Sequence, residues 1–189
     1  MTAGTGTAWR LEKVVSGGQT GVDRAALDLA LELSIPCGGW CPKGRRAEDG
    51  AIPARYPLQE SPTTNYAERT ALNVKDSDGT LILTRGPLRG GTALTKTFVE
   101  RYRRPCLVVD LHQTIEQQVH DWLTLNSIRV LNVAGPRESS QPGITRQASA
   151  FLRAVFGNTS PTRKRGMAAK APNTRKLASG VRRGGSAPR

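Results

Sequence analysis

Lys13-Val-Val-Ser-Gly-Gly-Gln-Thr-Gly-Val-Asp-Arg-Ala-Ala-Leu-Asp-Leu-Ala-Leu-Glu-Leu33 decides how the rest of the chain is read. The β-branched pair Val14 and Val15 runs into Ser16-Gly17-Gly18-Gln19-Thr20-Gly21, after which Val22, Ala25, Ala26, Leu29, Ala30 and Leu33 recur at helical spacing. This is a strand, a glycine turn and the start of a helix. The first amides of a helix lack carbonyl partners and lie at the positive end of its dipole, so an anion is favoured there. Glycines let those amides come close to it, because no Cβ intervenes. The turn is neither the GxGxxG dinucleotide fingerprint nor a P-loop, which would end in Gly-Lys-Ser/Thr. Asp23 and Arg24, one turn into the helix, are placed either to bind a ligand's polar atoms or to act as ordinary first-turn and surface residues. A tight turn that binds nothing accommodates the same glycines.

Downstream, the same grammar repeats. Ile35–Cys41 reads as a second short strand, with Pro36 at its entry. About twenty residues without periodicity then lead to Pro62, a length typical of binding segments. Lys43, Arg45 and Arg46 open that stretch, just past a strand end, where open parallel sheets hold their ligands. A helix is expected over 64–75, and Asp76–Thr84 gives a turn and a third strand. A second glycine segment follows, Arg85-Gly-Pro-Leu-Arg-Gly-Gly-Thr92, with a helix expected from Ala93 to Tyr102. The 104–111 run is the clearest strand, nearly continuous in apolar residues as a strand covered on both faces should be. A helix over 113–125, a strand over 128–133, a third small-residue turn at Ala134–Ser139 and a helix from Ile144 to Phe156 complete the pattern. Alternating strands and helices imply an α/β fold, a doubly wound, mainly parallel sheet of five or slightly more strands with helices on both faces. Two helix N-termini facing one crevice, at Gly17–Gly21 and Gly90–Thr92, would suit an elongated anion such as a nucleotide.

Charge is unevenly shared along the 189 residues. Nine of the 28 Lys/Arg and none of the 15 Asp/Glu lie in 158–189, so +9 of the formal net charge of +13 belongs to that segment. The basic balance is therefore a property of the tail rather than of the body. Residues 158–189, rich in Pro, Gly, Ser and Ala, are expected to be disordered, and weak, salt-sensitive contact with nucleic acid is the partner such a segment suggests. Residues 1–10 are expected to be a flexible N-terminus and 11–157 one ligand-binding domain. Three cysteines, no apolar run of membrane-spanning length and no basic-then-apolar leader point to a cytoplasmic protein. Cys37 and Cys41 have the wrong spacing for a zinc pair and no nearby histidine, so no metal site is expected.

Ser16–Asp28, Gly39–Arg45, Asp78–Leu83, Gly90–Thr95 and Leu131–Arg137 together resemble the molybdenum cofactor carrier proteins, the circularly permuted YpsA-like branch of the SLOG superfamily. The resemblance spans about residues 11–157. It implies a Rossmann-like domain that binds a nucleotide-derived ligand or the phosphate-bearing pterin of molybdenum cofactor, often as a homo-oligomer. It implies ligand contacts at Gly17, Gly18, Gln19, Thr20, Gly21 and Asp23, and at Gly90, Gly91, Thr92 and Thr95, with Lys43 and Arg45 auxiliary. The related LOG hydrolases carry a catalytic Glu where this chain has Thr95. A hydroxyl is no carboxylate and cannot serve as a base near neutral pH. A non-catalytic binding or carrier protein is therefore expected. The alternatives are a nucleotide-processing enzyme, N-glycosidase or phosphotransferase, using Asp23, and a nucleic-acid-binding protein acting through the tail.

Overall fold

Gly79-Thr-Leu-Ile-Leu-Thr84 is buried at every position, which only a central strand of a sheet covered on both faces requires. The computed structural model, which describes residues 10–113 and 116–157, builds the fold around it. In chain order the elements are β1 (Lys13–Val15), α1 (Val22–Glu32), β2 (Cys37–Gly38), β3 (Trp40–Cys41), β4 (Arg46–Ala47), β5 (Gly50–Ala51), β6 (Gln59–Glu60), α2 (Tyr66–Lys75), β7 (Gly79–Thr84), α3 (Gly90–Arg101), β8 (Cys106–Asp110), α4 (Glu116–Leu125), β9 (Val130–Ala134) and α5 (Ile144–Gly157). Expectations for residues 1–9 and for the basic segment 158–189 lie outside the described residues.

The main sheet has the order β2-β1-β9-β7-β8, parallel at every pairing. Its middle strand is the last one among the described residues. Counting from β9 and continuing through the chain ends into β1 turns the order into 3-2-1-4-5, the start of the doubly wound dinucleotide-binding order. The chain is thus wound like such a domain but cut open at a different loop. α1, α4 and α5 form one layer and α2 with α3 the other. Leu81, Leu83, Leu131 and Val133 join Val22, Leu29, Val119, Leu123, Ala148 and Leu152 in the main apolar cluster, between the sheet and the first layer. Strand alternation turns the buried Ile82 to the opposite face.

Four features differ from the expectations. β8, expected to be covered on both faces, is an edge strand whose Val108 is 39% exposed, because apolar residues there pack against β7 on one side only. The strand expected over 35–41 is broken at Gly39 (φ 127), where the backbone passes so near Ser16 that a Cβ would lie 2.4 Å from its carbonyl oxygen. β2 therefore joins the main sheet while β3 leaves it to pair with β6. The stretch from Pro42 to Pro62, read as without regular structure, holds the antiparallel β4–β5 hairpin and the partner strand β6. α3 begins at Gly90, not Ala93, because the first amides of a helix need no partner within it and weak helix formers are tolerated there.

Arg45 organises the 42–62 strap. Its guanidinium donates to the carbonyls of Ile52 (3.1 Å), Leu58 (3.1 Å), Pro53 (2.9 Å) and Tyr56 (3.0 Å), holding the strap over a small cluster of Leu27, Cys41, Ile52, Tyr56 and Leu58. Arg45→Met leaves those four carbonyls to find water, and a loss of about 2 kcal/mol is expected. A lowered urea midpoint with faster proteolytic cutting inside 42–62 is the readout; an unchanged midpoint would contradict it.

Candidate ligand-binding cleft

A cleft of about 590 Å³ opens above the carboxyl ends of β1, β9 and β7, at the point where the winding reverses. Gln19 and Asp23 reach it from the β1–α1 turn, Thr84–Thr95 from the β7–α3 turn and helix, and Ala134–Gln141 from the β9–α5 loop. α2 closes the remaining side with Tyr66, Arg69 and Thr70. Its charged lining is Asp23 against Arg69, Arg85, Arg89 and Arg137, so the cleft is net positive.

Three helices start at this face after small-residue turns, and their N-termini differ in what already occupies them. At α1 the amides of Val22 and Arg24 donate to the carbonyls of Pro136 (3.2 Å) and Gln19 (3.2 Å), and the Gln19 amide donates to Asp23 Oδ2 (3.3 Å). At α5 Glu138 acts as an internal anion, accepting from the amides of Gly143 and Thr145 (3.0 Å to the latter) and from the Thr145 hydroxyl (2.6 Å). These bonds hold its carboxyl below the usual range. α3 has no such plug. Its N-cap, Arg89, makes no side-chain capping bond, and the amides of Gly90 and Gly91 donate to no group among the described residues.

The glycines of the two motifs are used differently. A Cβ on Gly17 would overlap Arg69 Nη1, on Gly18 it would lie 2.5 Å from Leu58 Cδ1, and on Gly21 2.2 Å from the Pro136 carbonyl oxygen. Those three glycines permit close packing. A Cβ on Gly90 or Gly91 would meet nothing within 4 Å. Their bare backbone faces open space.

Of the residues picked out in the sequence, Gln19, Asp23, Gly90, Gly91, Thr92 and Thr95 come together in the lining. Gly17, Gly18 and Gly21 are buried behind it. Thr20 turns to the strap, donating its hydroxyl to Glu48. Arg24 pairs with Asp49 (2.7 Å) and donates to the Gly18 carbonyl (3.2 Å), tying the strap to the first turn. Arg45 is spent on the carbonyls already described, and Lys43 is exposed on the strap, outside the lining. Thr95, 4% exposed, donates its hydroxyl to the Gly91 carbonyl (2.9 Å).

Sequence reading missed Arg69, Arg85, Arg89, Arg137 and Tyr66 as site residues. Arg85 is fixed by its neighbours: Gln141 both accepts from its amide (3.2 Å) and donates to its carbonyl (3.0 Å), and Arg85 Nη2 donates to the Pro142 carbonyl (2.9 Å). Its Nε, and that of Arg69, are buried with no hydrogen-bond partner. Unpaired buried donors are costly. Arg137 stands at the rim, its Nε 3.7 Å from Glu48, which also accepts from Ser139 and Thr20. Against partial desolvation, those donors hold the Glu48 carboxyl below its usual range.

Asp23 is 4% exposed and lies 3.2 Å from Arg69 Nη1. Burial raises its carboxyl above the usual range, Arg69 and the Gln19 amide only partly opposing. The native state therefore holds the Asp23 proton more tightly than the unfolded chain, so stability is fullest below the unfolded titration range and falls as pH rises through the raised value. Urea midpoints of the wild type should fall relative to Asp23→Asn as pH increases from 4; a difference flat in pH would contradict this.

The model of the circularly permutated YpsA SLOG family matches residues 14–156. The chain belongs to that family. The permutation is visible in the sheet of this SLOG protein, where the last strand among the described residues occupies the middle. The 1.45 Å crystal structure of "Putative molybdenum carrier protein" from Syntrophus aciditrophicus SB is 49% identical, with a TM-score of 0.75, over 77% of this chain and 95% of that one. A comparison with curated proteins gave no match. Among the described residues of this SLOG protein no helix is long and apolar enough to cross a membrane, and no three His, Cys, Asp or Glu side chains gather as a metal site.

Proposed function

We propose that the cleft binds, without cleaving it, a small phosphate-bearing, nucleotide-like ligand, with the phosphate at the N-terminus of α3. The observation that carries this is the contrast among the three helix starts: at α1 and α5 the protein's own oxygens already take amides (Val22 and Arg24; Gly143 and Thr145), whereas the Gly90 and Gly91 amides, next to each other at the start of α3, are both open. Arg85 and Arg69, lining the same cleft, carry guanidinium groups suited to a phosphate. Molybdenum cofactor is the candidate that the similarity to the Syntrophus molybdenum carrier protein suggests. The residues fit its phosphate end. Cys37, Cys41 and Cys106 stand outside the lining, so this chain would grip that group through its phosphate rather than through its metal.

A second reading, N-glycosidic cleavage, draws on Asp23, a carboxylate in the cleft wall whose burial favours the protonated form a general acid needs. Against it stands Thr95, whose hydroxyl is occupied by the Gly91 carbonyl. Native mass spectrometry of the freshly purified full chain tests the binding reading. A bound mass that disappears on denaturation and is lost in Arg85→Gln is expected; a bare chain that also fails to bind added GMP would overturn it. Sustained release of free base from GMP, abolished in Asp23→Asn, would replace it with the enzyme.

A further inference from the structure

Four large hydrophobic side chains are exposed among the described residues, Leu31, Tyr66, Val108 and Leu125, and of these only Tyr66 lines the cleft. It is also the one aromatic ring in the lining. Tyr66 begins α2, and Arg69 and Thr70 follow at helical spacings of three and four, so all three stand along one side of the helix. Tyr66 is 42% exposed, whereas Thr70 is 8% exposed and the Arg69 side chain 15%. The row therefore runs from an open aromatic at the mouth to a buried ion pair at the floor. Across from α2, α3 packs against it and presents Leu94 to the same space. The phenol hydroxyl makes one long hydrogen bond, donating to the Arg46 carbonyl (3.5 Å), and among the described residues the ring stacks on no other aromatic.

Tyr66 thus offers an exposed aromatic side chain in a cleft whose cations suit phosphate. We propose that Tyr66 is the specificity-determining residue of the cleft, stacking on the planar ring of the bound ligand and so favouring a ring-bearing phosphate over a sugar phosphate. Stacking on an aromatic side chain strengthens binding substantially for any flat π-face, which makes ring attachment, not ring identity, the property selected. This rests on the phosphate reading above.

Titration calorimetry of the full chain at moderate salt, with GMP and ribose 5-phosphate as probes, separates the two. The wild type should bind GMP about tenfold or more tightly than ribose 5-phosphate. Tyr66→Phe should keep that preference. Tyr66→Ala should lose most of it while binding ribose 5-phosphate as the wild type does, which also shows that the variant is folded. Equal affinities for the two probes in the wild type, or an undiminished preference in Tyr66→Ala, would overturn the stacking role and leave the phosphate site standing. Failure of the wild type to bind either probe would overturn both.

Discussion

Gly21→Ala is expected to cost about 4 kcal/mol of folding free energy. The residue sits at φ 81, ψ −132, a region that side chains other than glycine's rarely enter and that carries a strain of about 1–3 kcal/mol. Its Cβ would also lie 2.2 Å from the Pro136 carbonyl oxygen and 2.9 Å from the Arg137 backbone, and these atoms cannot swing aside as a side-chain tip would. Forcing such an overlap adds about 1–3 kcal/mol. The same substitution at Gly91 should leave stability unchanged or raise it slightly, because the added methyl meets nothing within 4 Å and alanine favours helix. Chemical denaturation of the two variants checks the pair. Equal losses would contradict the division of the glycines into packing and ligand-facing sets.

The second large effect concerns binding. Arg85→Gln should weaken binding of a phosphate monoester by about 10- to 100-fold, the equivalent of one charged hydrogen bond of about 1.5–3 kcal/mol. Gln141 grips the Arg85 main chain, not its side chain, so the loop should keep its place in the variant. Calorimetric titration with ribose 5-phosphate at constant salt is the measurement. Affinity within twofold of the wild type would mean that the Arg85 guanidinium never meets the ligand.

α1, β7, β8 and α5 were legible in the sequence because each has a run long enough for its periodicity to declare itself. The pairs β3–β6 and β4–β5 were not, since each contributes two residues per strand and is held by Arg45 and by the Glu48 and Asp49 ties, which no local pattern announces. The glycine turns were found, but their division of labour was not. Whether an amide is free depends on Pro136 and Glu138, residues more than a hundred positions from the first turn or belonging to another one. Arg69 illustrates the same gap. It is an ordinary cation on an amphipathic helix until the winding brings α2 beside the β1–α1 turn, where Gly17 leaves room for its guanidinium over Asp23.

Backbone amide NMR of the isotopically labelled chain during titration with ribose 5-phosphate tests the α3 site most directly. The Gly90 and Gly91 amide signals should shift most, in a saturable manner that Arg85→Gln weakens. Saturable shifts centred on Gly17–Gly21 with Gly90 and Gly91 unmoved would contradict the account.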